Sequence, residues 1–220
     1  MPDLSTSLHL NMLKHHSLPR RLRRAVWREF TAPDIYGFEW GDPDKVDPLK
    51  HVRDRWVLPY VQPTHVCVEI GPGGGRWTRY LLGFSELYAI DYHEELLREL
   101  KKTLNKPNMI FVKNNGTDFP SVPDKAVDFL FSYGVFVHLD APIIREYLHN
   151  MRRVLRPTAN AVIHYSDKTK IMGRETKSFS DNDPCRMREM VTESGFSIIE
   201  EDLTSLWHSA LIRFTPEANQ

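Results

Sequence analysis

The chain has 220 residues, 41% of them hydrophobic and 26% charged, and its 29 basic and 29 acidic side chains cancel. This is the composition of an ordinary soluble globular domain, and the balanced charge argues against nucleic acid as the main substrate, since phosphate binding needs a basic surface. Two cysteines, Cys67 and Cys185, make no disulfide framework. No Cys/His spacing suits a metal, and no apolar run approaches the length of a membrane span. The expectation is therefore no metal, no membrane and, with no secretory apolar core at the N-terminus, a reducing cytoplasmic setting.

In chain order, residues 1–17 are polar, with His9, His15 and His16, and read as a loosely attached tail. Residues 19–30 read as a short basic helix with Leu22, Val26 and Phe30 as its apolar stripe. Proline and glycine mark residues 31–47 as a loop, which carries Tyr36, Phe38 and Trp40. A helix is expected over 48–60, with Leu49, Val52, Trp56 and Tyr60 on one side. Pro63 ends the approach to the first strand.

That strand leads into the most informative segment, Val66-Cys67-Val68-Glu69-Ile70-Gly71-Pro72-Gly73-Gly74-Gly75-Arg76-Trp77. An apolar run ends in an acid, a glycine turn follows, and a helix is expected from about 76 to 82. Strand, glycine turn and helix bring backbone N–H groups close to a nucleotide-like ligand. The dinucleotide fingerprint needs a third glycine at position 76, where Arg76 stands, and a long charged side chain cannot replace it. No Lys-Ser or Lys-Thr follows, so the phosphate-loop pattern is absent as well. Glu69 would repel a pyrophosphate and suits a ligand with an ammonium group. A second strand, 86–91, ends in Asp91, 20 residues after Gly71, where an α/β nucleotide fold places the acid that binds ribose hydroxyls.

Alternation continues with a helix at 93–104, strands at 109–112 and 127–132, and a helix at 141–154. Asp140 stands at the N-cap of that helix and Pro142 in its first turn. A strand at 159–165, a polar loop at 166–183, a helix at 184–194 stopped by Gly195, and strands at 196–202 and 207–214 complete the chain. This order predicts an α/β fold with a doubly wound parallel sheet, whose ligands bind beyond the carboxyl ends of the strands. Glu69, Asp91, Asn115, Ser132 and Ser166 all fall at or just past such ends.

Five segments in this order make the chain resemble the class I S-adenosylmethionine-dependent methyltransferases. They are Glu69 to Gly75, Ala89-Ile90-Asp91, Asn114-Asn115-Gly116-Thr117-Asp118-Phe119-Pro120, Val127 to Tyr133, and Val154-Leu155-Arg156-Pro157. The resemblance covers about residues 64–165 and continues more weakly to 214. It implies a Rossmann-like, mostly parallel seven-stranded sheet with its last strand antiparallel. Residues 1–62 would then form a tail and helical cap, and 63–220 the S-adenosylmethionine-binding domain.

The resemblance also implies residue roles. Gly71, Gly73 and Gly75 let the backbone approach the methionine portion of S-adenosyl-L-methionine. Glu69 faces its ammonium, Asp91 binds ribose, and Tyr92 lies against adenine. Asn115 takes the place, commonly an aspartate, that accepts from the adenine amine; Gly116 and Thr117 complete that side, while Ser132 and Tyr133 face the sulfonium. An asparagine holding its own turn is the competing reading for Asn115. His138, between the fourth strand and Asp140, is the candidate base for a substrate hydroxyl, competing with a histidine that merely bonds its loop. His164 is a weaker candidate, and His208 reads as buried sheet or edge. The expected reaction is methyl transfer to a small polar, sugar-like acceptor, at a hydroxyl. The alternatives are N-methylation of an amine or protein side chain, and a noncatalytic cofactor-binding module. The oligomeric state is left open.

Overall fold

The structure is a computed structural model that describes residues 36–217. The tail and the basic helix expected at 19–30 lie outside the described residues. Seven strands, β1 (Val66–Ile70), β2 (Glu86–Asp91), β3 (Met109–Lys113), β4 (Val127–Ser132), β5 (Leu155–Ser166), β6 (Phe196–Asp202) and β7 (Ser209–Pro216), form one sheet. Its order is β3-β2-β1-β4-β5-β7-β6. The first five strands pair in parallel, and β7 runs antiparallel between β5 and β6. The helices are α1 (Asp47–Val52), α2 (Thr78–Leu81), α3 (Glu94–Thr103), α4 (Ala141–Val154), α5 (Ile171–Glu175) and α6 (Pro184–Glu193). This is the doubly wound, Rossmann-like methyltransferase architecture expected from the sequence.

Alternate residues of each central strand feed two apolar layers. Val68 and Ile70 of β1 and Leu130 of β4 join Ile144, Tyr147, Leu148 and Met151 of α4 and Met187 and Met190 of α6. Cys67, Phe129 and Phe131 face the other layer, with Leu49, Val52, Trp56, Trp77, Leu81 and Leu100. Covering both faces is what allows parallel strands to be written as near-continuous apolar runs. The strand ends are left to carry chemistry.

Several boundaries differ from the sequence reading, each for a local reason. The helical run through 47–60 changes pitch, from α1 to a π turn at Arg53–Val57 and a 3-10 turn at Leu58–Tyr60. Pro59 lacks the N–H that a continuing α-helix requires. Leu49, Val52 and Trp56 are buried as expected. Gly75 sits at φ +92°, outside the helical region, so α2 begins only at Thr78. β5 begins four residues early because Leu155 pairs with Val127 across an irregularity in register. The loop expected at 166–183 contains α5. Asp140 occupies the N-cap of α4 with extended backbone, yet its side chain makes no capping bond. Asp183, ahead of α6, does cap its helix, accepting from Arg186 N–H at 3.0 Å.

Phe129 is the central ring of the second layer. It stacks on Tyr60 at 4.9 Å and on Phe84 at 5.8 Å, both nearly coplanar. Truncating a buried ring of this kind removes its transfer energy and leaves a cavity. Phe129→Ala is expected to lower stability by about 3–5 kcal/mol in urea unfolding, with the sheet order unchanged.

Candidate active site

At the carboxyl end of β1, Glu69 is 2% exposed and its Oε2 has no hydrogen-bond partner. Burial pushes its carboxyl up to about 8; the Thr78 hydroxyl opposes the rise and the Asp91 charge adds to it. One strand over, Asp91 is also buried, and its Oδ1 accepts from His93 N–H at 2.8 Å. Burial raises its carboxyl as well, against the pull of the His93 and Gly73 backbone N–H groups. Two buried carboxyl groups thus border the same turn, and the outer oxygen of Glu69 has no hydrogen-bond partner among the described residues. A group that supplies an ammonium to Glu69 and hydroxyl donors to Asp91 matches this pair.

The turn between them is held in the left-handed region at Gly71 (φ +71°), Gly73 (φ +54°) and Gly75 (φ +92°). The sequence reading assigned all three to the ligand. The structure gives two of them packing reasons of their own. A Cβ at Gly71 would lie 2.1 Å from Val135 Cγ2, and one at Gly75 would lie 2.9 Å from Leu100 Cδ1. At Gly73 the neighbour is the Tyr36 ring, at 3.0 Å, and the Tyr36 carbonyl accepts from Gly74 N–H at 3.0 Å. The aromatic loop therefore lies directly on the glycine turn.

Beyond β2 and β3, Tyr92 is 56% exposed, and a Cβ at Gly116 would sit 3.6 Å from its ring. These two flank one edge of the site. Asn115 is exposed, but its Oδ1 accepts from the N–H groups of Thr117 (2.9 Å) and Asp118 (3.0 Å). Its carbonyl oxygen is committed to its own turn. Thr117 is buried and its hydroxyl donates to Glu146 of α4 at 2.9 Å, pinning the loop. Ser132 is fully buried and donates to the Ile70 carbonyl at 3.1 Å, which closes β4 onto β1.

The loop after β4 begins the second half of the site. Tyr133 stacks on His164 at 4.0 Å and lies 4.7 Å from Trp77. Burial pushes the Tyr133 phenol up to about 12, partly countered by Arg76. His164 is 2% exposed, and burial holds its imidazole well below the ordinary 6.5, with cationic neighbours adding to the effect. Its Nδ1 accepts from Gly134 N–H at 3.1 Å, so its proton sits on Nε2 and is donated to Ser209 Oγ at 2.6 Å. The Ser209 hydroxyl is then free to donate to His208 Nδ1 at 2.7 Å. His138 ends a 3-10 turn, Phe136–His138, and is exposed. Its Nδ1 lies 2.7 Å from the Ser178 carbonyl, which can only accept. Nδ1 must carry the proton, and Nε2 keeps its lone pair.

Sequence reasoning missed Arg76, Trp77 and Ser209 here and treated His208 as scaffold. The signal for Arg76 was present, a long cation directly after a glycine run. Nothing in the primary order announces that β7 delivers Ser209 to His164, since that contact spans 45 residues. Among the described residues, no group of His, Cys, Asp and Glu could hold a metal, and no helix is long and apolar enough to cross a membrane.

Comparison with known proteins agrees with this geometry. Residues 67–158 match the model of a methyltransferase domain. The PH0226 protein from Pyrococcus horikoshii OT3 superposes with a TM-score of 0.66 at 18% identity, covering 88% of this chain and 99% of that one. A SAM-dependent methyltransferase from Aquifex aeolicus gives 0.58 at 20% identity, covering 79% and 98%. The glycopeptide N-methyltransferase MtfA, solved with S-adenosyl-L-methionine, gives 0.58 at 16% identity, covering 70% and 82%. No curated protein matches the sequence. The fold is that of these solved methyltransferases, and residues 67–158 carry the match to a methyltransferase domain.

The raised Glu69 carboxyl has a consequence for the ligand-free protein. Its contribution to stability is fully present below the ordinary carboxyl value of 4.5 and is lost as pH rises through about 8. Glu69→Gln is expected to remove that decline and to be the more stable protein at pH 8, by about 1–3 kcal/mol. Urea unfolding of both proteins across this pH range checks it.

Proposed function

We propose that this methyltransferase acts on a hydroxyl of a small polar metabolite, with His138 as the base. S-adenosyl-L-methionine supplies an electrophilic methyl group carried on a sulfonium. Glu69 pairs with its ammonium and Asp91 with its ribose hydroxyls, while Tyr92 and Gly116 border the adenine. Asn115 shapes the adenine side by holding its turn, with Thr117 anchoring that turn to α4. Ser132 fixes the end of β4, and Tyr133 faces the sulfonium. The loop from Tyr36 caps the donor by lying on Gly73. Transfer then depends mainly on holding acceptor oxygen and methyl carbon in line within a dry pocket.

The observation that carries the hydroxyl reading is the tautomer of His138. His138 Nδ1 donates to the Ser178 carbonyl, so in the neutral ring Nε2 is the nitrogen that remains as an acceptor. A hydroxyl must lose a proton as it attacks, and a neutral imidazole with a fixed lone pair can receive it. An amine acceptor needs only to be neutral and makes no such demand. The two free thiols, Cys67 and Cys185, accord with a reducing compartment.

Two measurements test this. Asp91→Ala is expected to weaken S-adenosylmethionine binding about tenfold or more in calorimetry; unchanged affinity would remove the donor site from this turn. His138→Ala is expected to slow labelled methyl transfer to a hydroxyl acceptor by about 10²–10⁴-fold while donor affinity stays the same. Full turnover by that variant would favour an amine acceptor, and no turnover by the wild type on any metabolite pool would favour a noncatalytic binding module.

A further inference from the structure

Arg76 is a buried cation of the site with few partners among the described residues. It is 7% exposed, yet only one of its five donors finds a partner among the described residues, Nη1 on the Gly41 carbonyl at 3.3 Å. Its neighbour Arg79 pairs with Asp42 and Asp44. Glu39, the other carboxylate that Arg76 senses, accepts from Gly37 N–H at 2.7 Å. A guanidinium removed from water with no ion pair among the described residues is costly, and burial accordingly makes the Arg76 proton easier to lose.

Its surroundings say which part of the site it serves. The guanidinium carbon lies 5.4 Å over the Tyr133 ring and 5.8 Å over Trp77. Tyr133 in turn stacks on His164. Arg76 and Lys170 are cations that disfavour protonation of His164. Lys170 has Asp167 at 3.7 Å. Arg76 is therefore the cation beside the Tyr133–His164 stack at the ends of β4 and β5. The carboxylates of the site, Glu69 and Asp91, stand instead at the ends of β1 and β2.

We infer that Arg76 receives an anionic group of the methyl acceptor, so that the acceptor is a hydroxy acid. A planar guanidinium offers paired donors that match a carboxylate. The inference rests on the methyltransferase reading above and adds the charge class of the acceptor. It also divides the site by charge: the anionic acceptor sits at Arg76, and the ammonium of the donor sits at Glu69.

Benzoate and benzamide, titrated into protein saturated with S-adenosylhomocysteine, test this without knowledge of the natural acceptor. Wild-type protein is expected to bind benzoate and to bind benzamide at least about tenfold more weakly. Arg76→Met is expected to lose that preference, and Arg76→Lys to keep part of it. Equal binding of the two probes, or no benzoate binding up to its solubility, overturns the inference and leaves the methyltransferase reading intact. Failure of wild-type protein to bind S-adenosylhomocysteine sinks that reading itself. The donor's own carboxylate is the rival occupant. If Arg76→Met weakens S-adenosylhomocysteine binding but not that of 5′-methylthioadenosine, which lacks the amino-acid portion, Arg76 serves the donor and the inference falls.

Discussion

The structure turns on a carboxylate placed where water cannot reach it. Glu69 ends β1 inside the protein, with its outer oxygen unpartnered and its acidity suppressed by burial. A fold selected only for stability would put an apolar residue there, since a buried ionisable group without a partner is a net cost. The neighbouring turn makes the same concession, with three glycines in a backbone region that other residues rarely adopt. Parallel pairing on both sides of β1 holds this costly arrangement in place. The two-layer core supplies the stability that the strand ends give up.

The region around His164 and His138 is organised by hydrogen-bond direction more than by charge. His164 sits between a backbone N–H that donates to it and a serine hydroxyl that accepts from it, which fixes one neutral tautomer. A neutral ring in that position can lie flat on Tyr133 without adding to the positive charge of Arg76. His138 is fixed in the opposite sense, by a carbonyl that takes its Nδ1 proton. The two histidines therefore carry these protons on opposite ring nitrogens.

The order of strands and helices was legible because the central strands are apolar runs with a polar residue at or near the end, and because punctuation by Gly, Pro and Asp is dense between them. The acids at 69 and 91 were legible for the same reason: a carboxylate at the end of a buried strand has few structural uses. The pitch changes at 53–60 and the late start of α2 were not, since they follow from Pro59 and from the φ of Gly75, which sequence periodicity does not encode. Asn115 shows a different limit. Its residue type fits both a ligand contact and a turn, and only the 2.9 and 3.0 Å bonds to Thr117 and Asp118 show how its oxygen is used. Arg76 and Ser209 acquire meaning only from residues distant in the chain.

The near contact of Gly71 with Val135 has a bearing on how this site can diversify. The glycine turn after β1 and the loop after β4 share a wall one side chain thick, with no space for a methyl group between them. Position 71 is therefore closed to any residue with a side chain unless Val135 first becomes smaller, so a change at either position constrains the other.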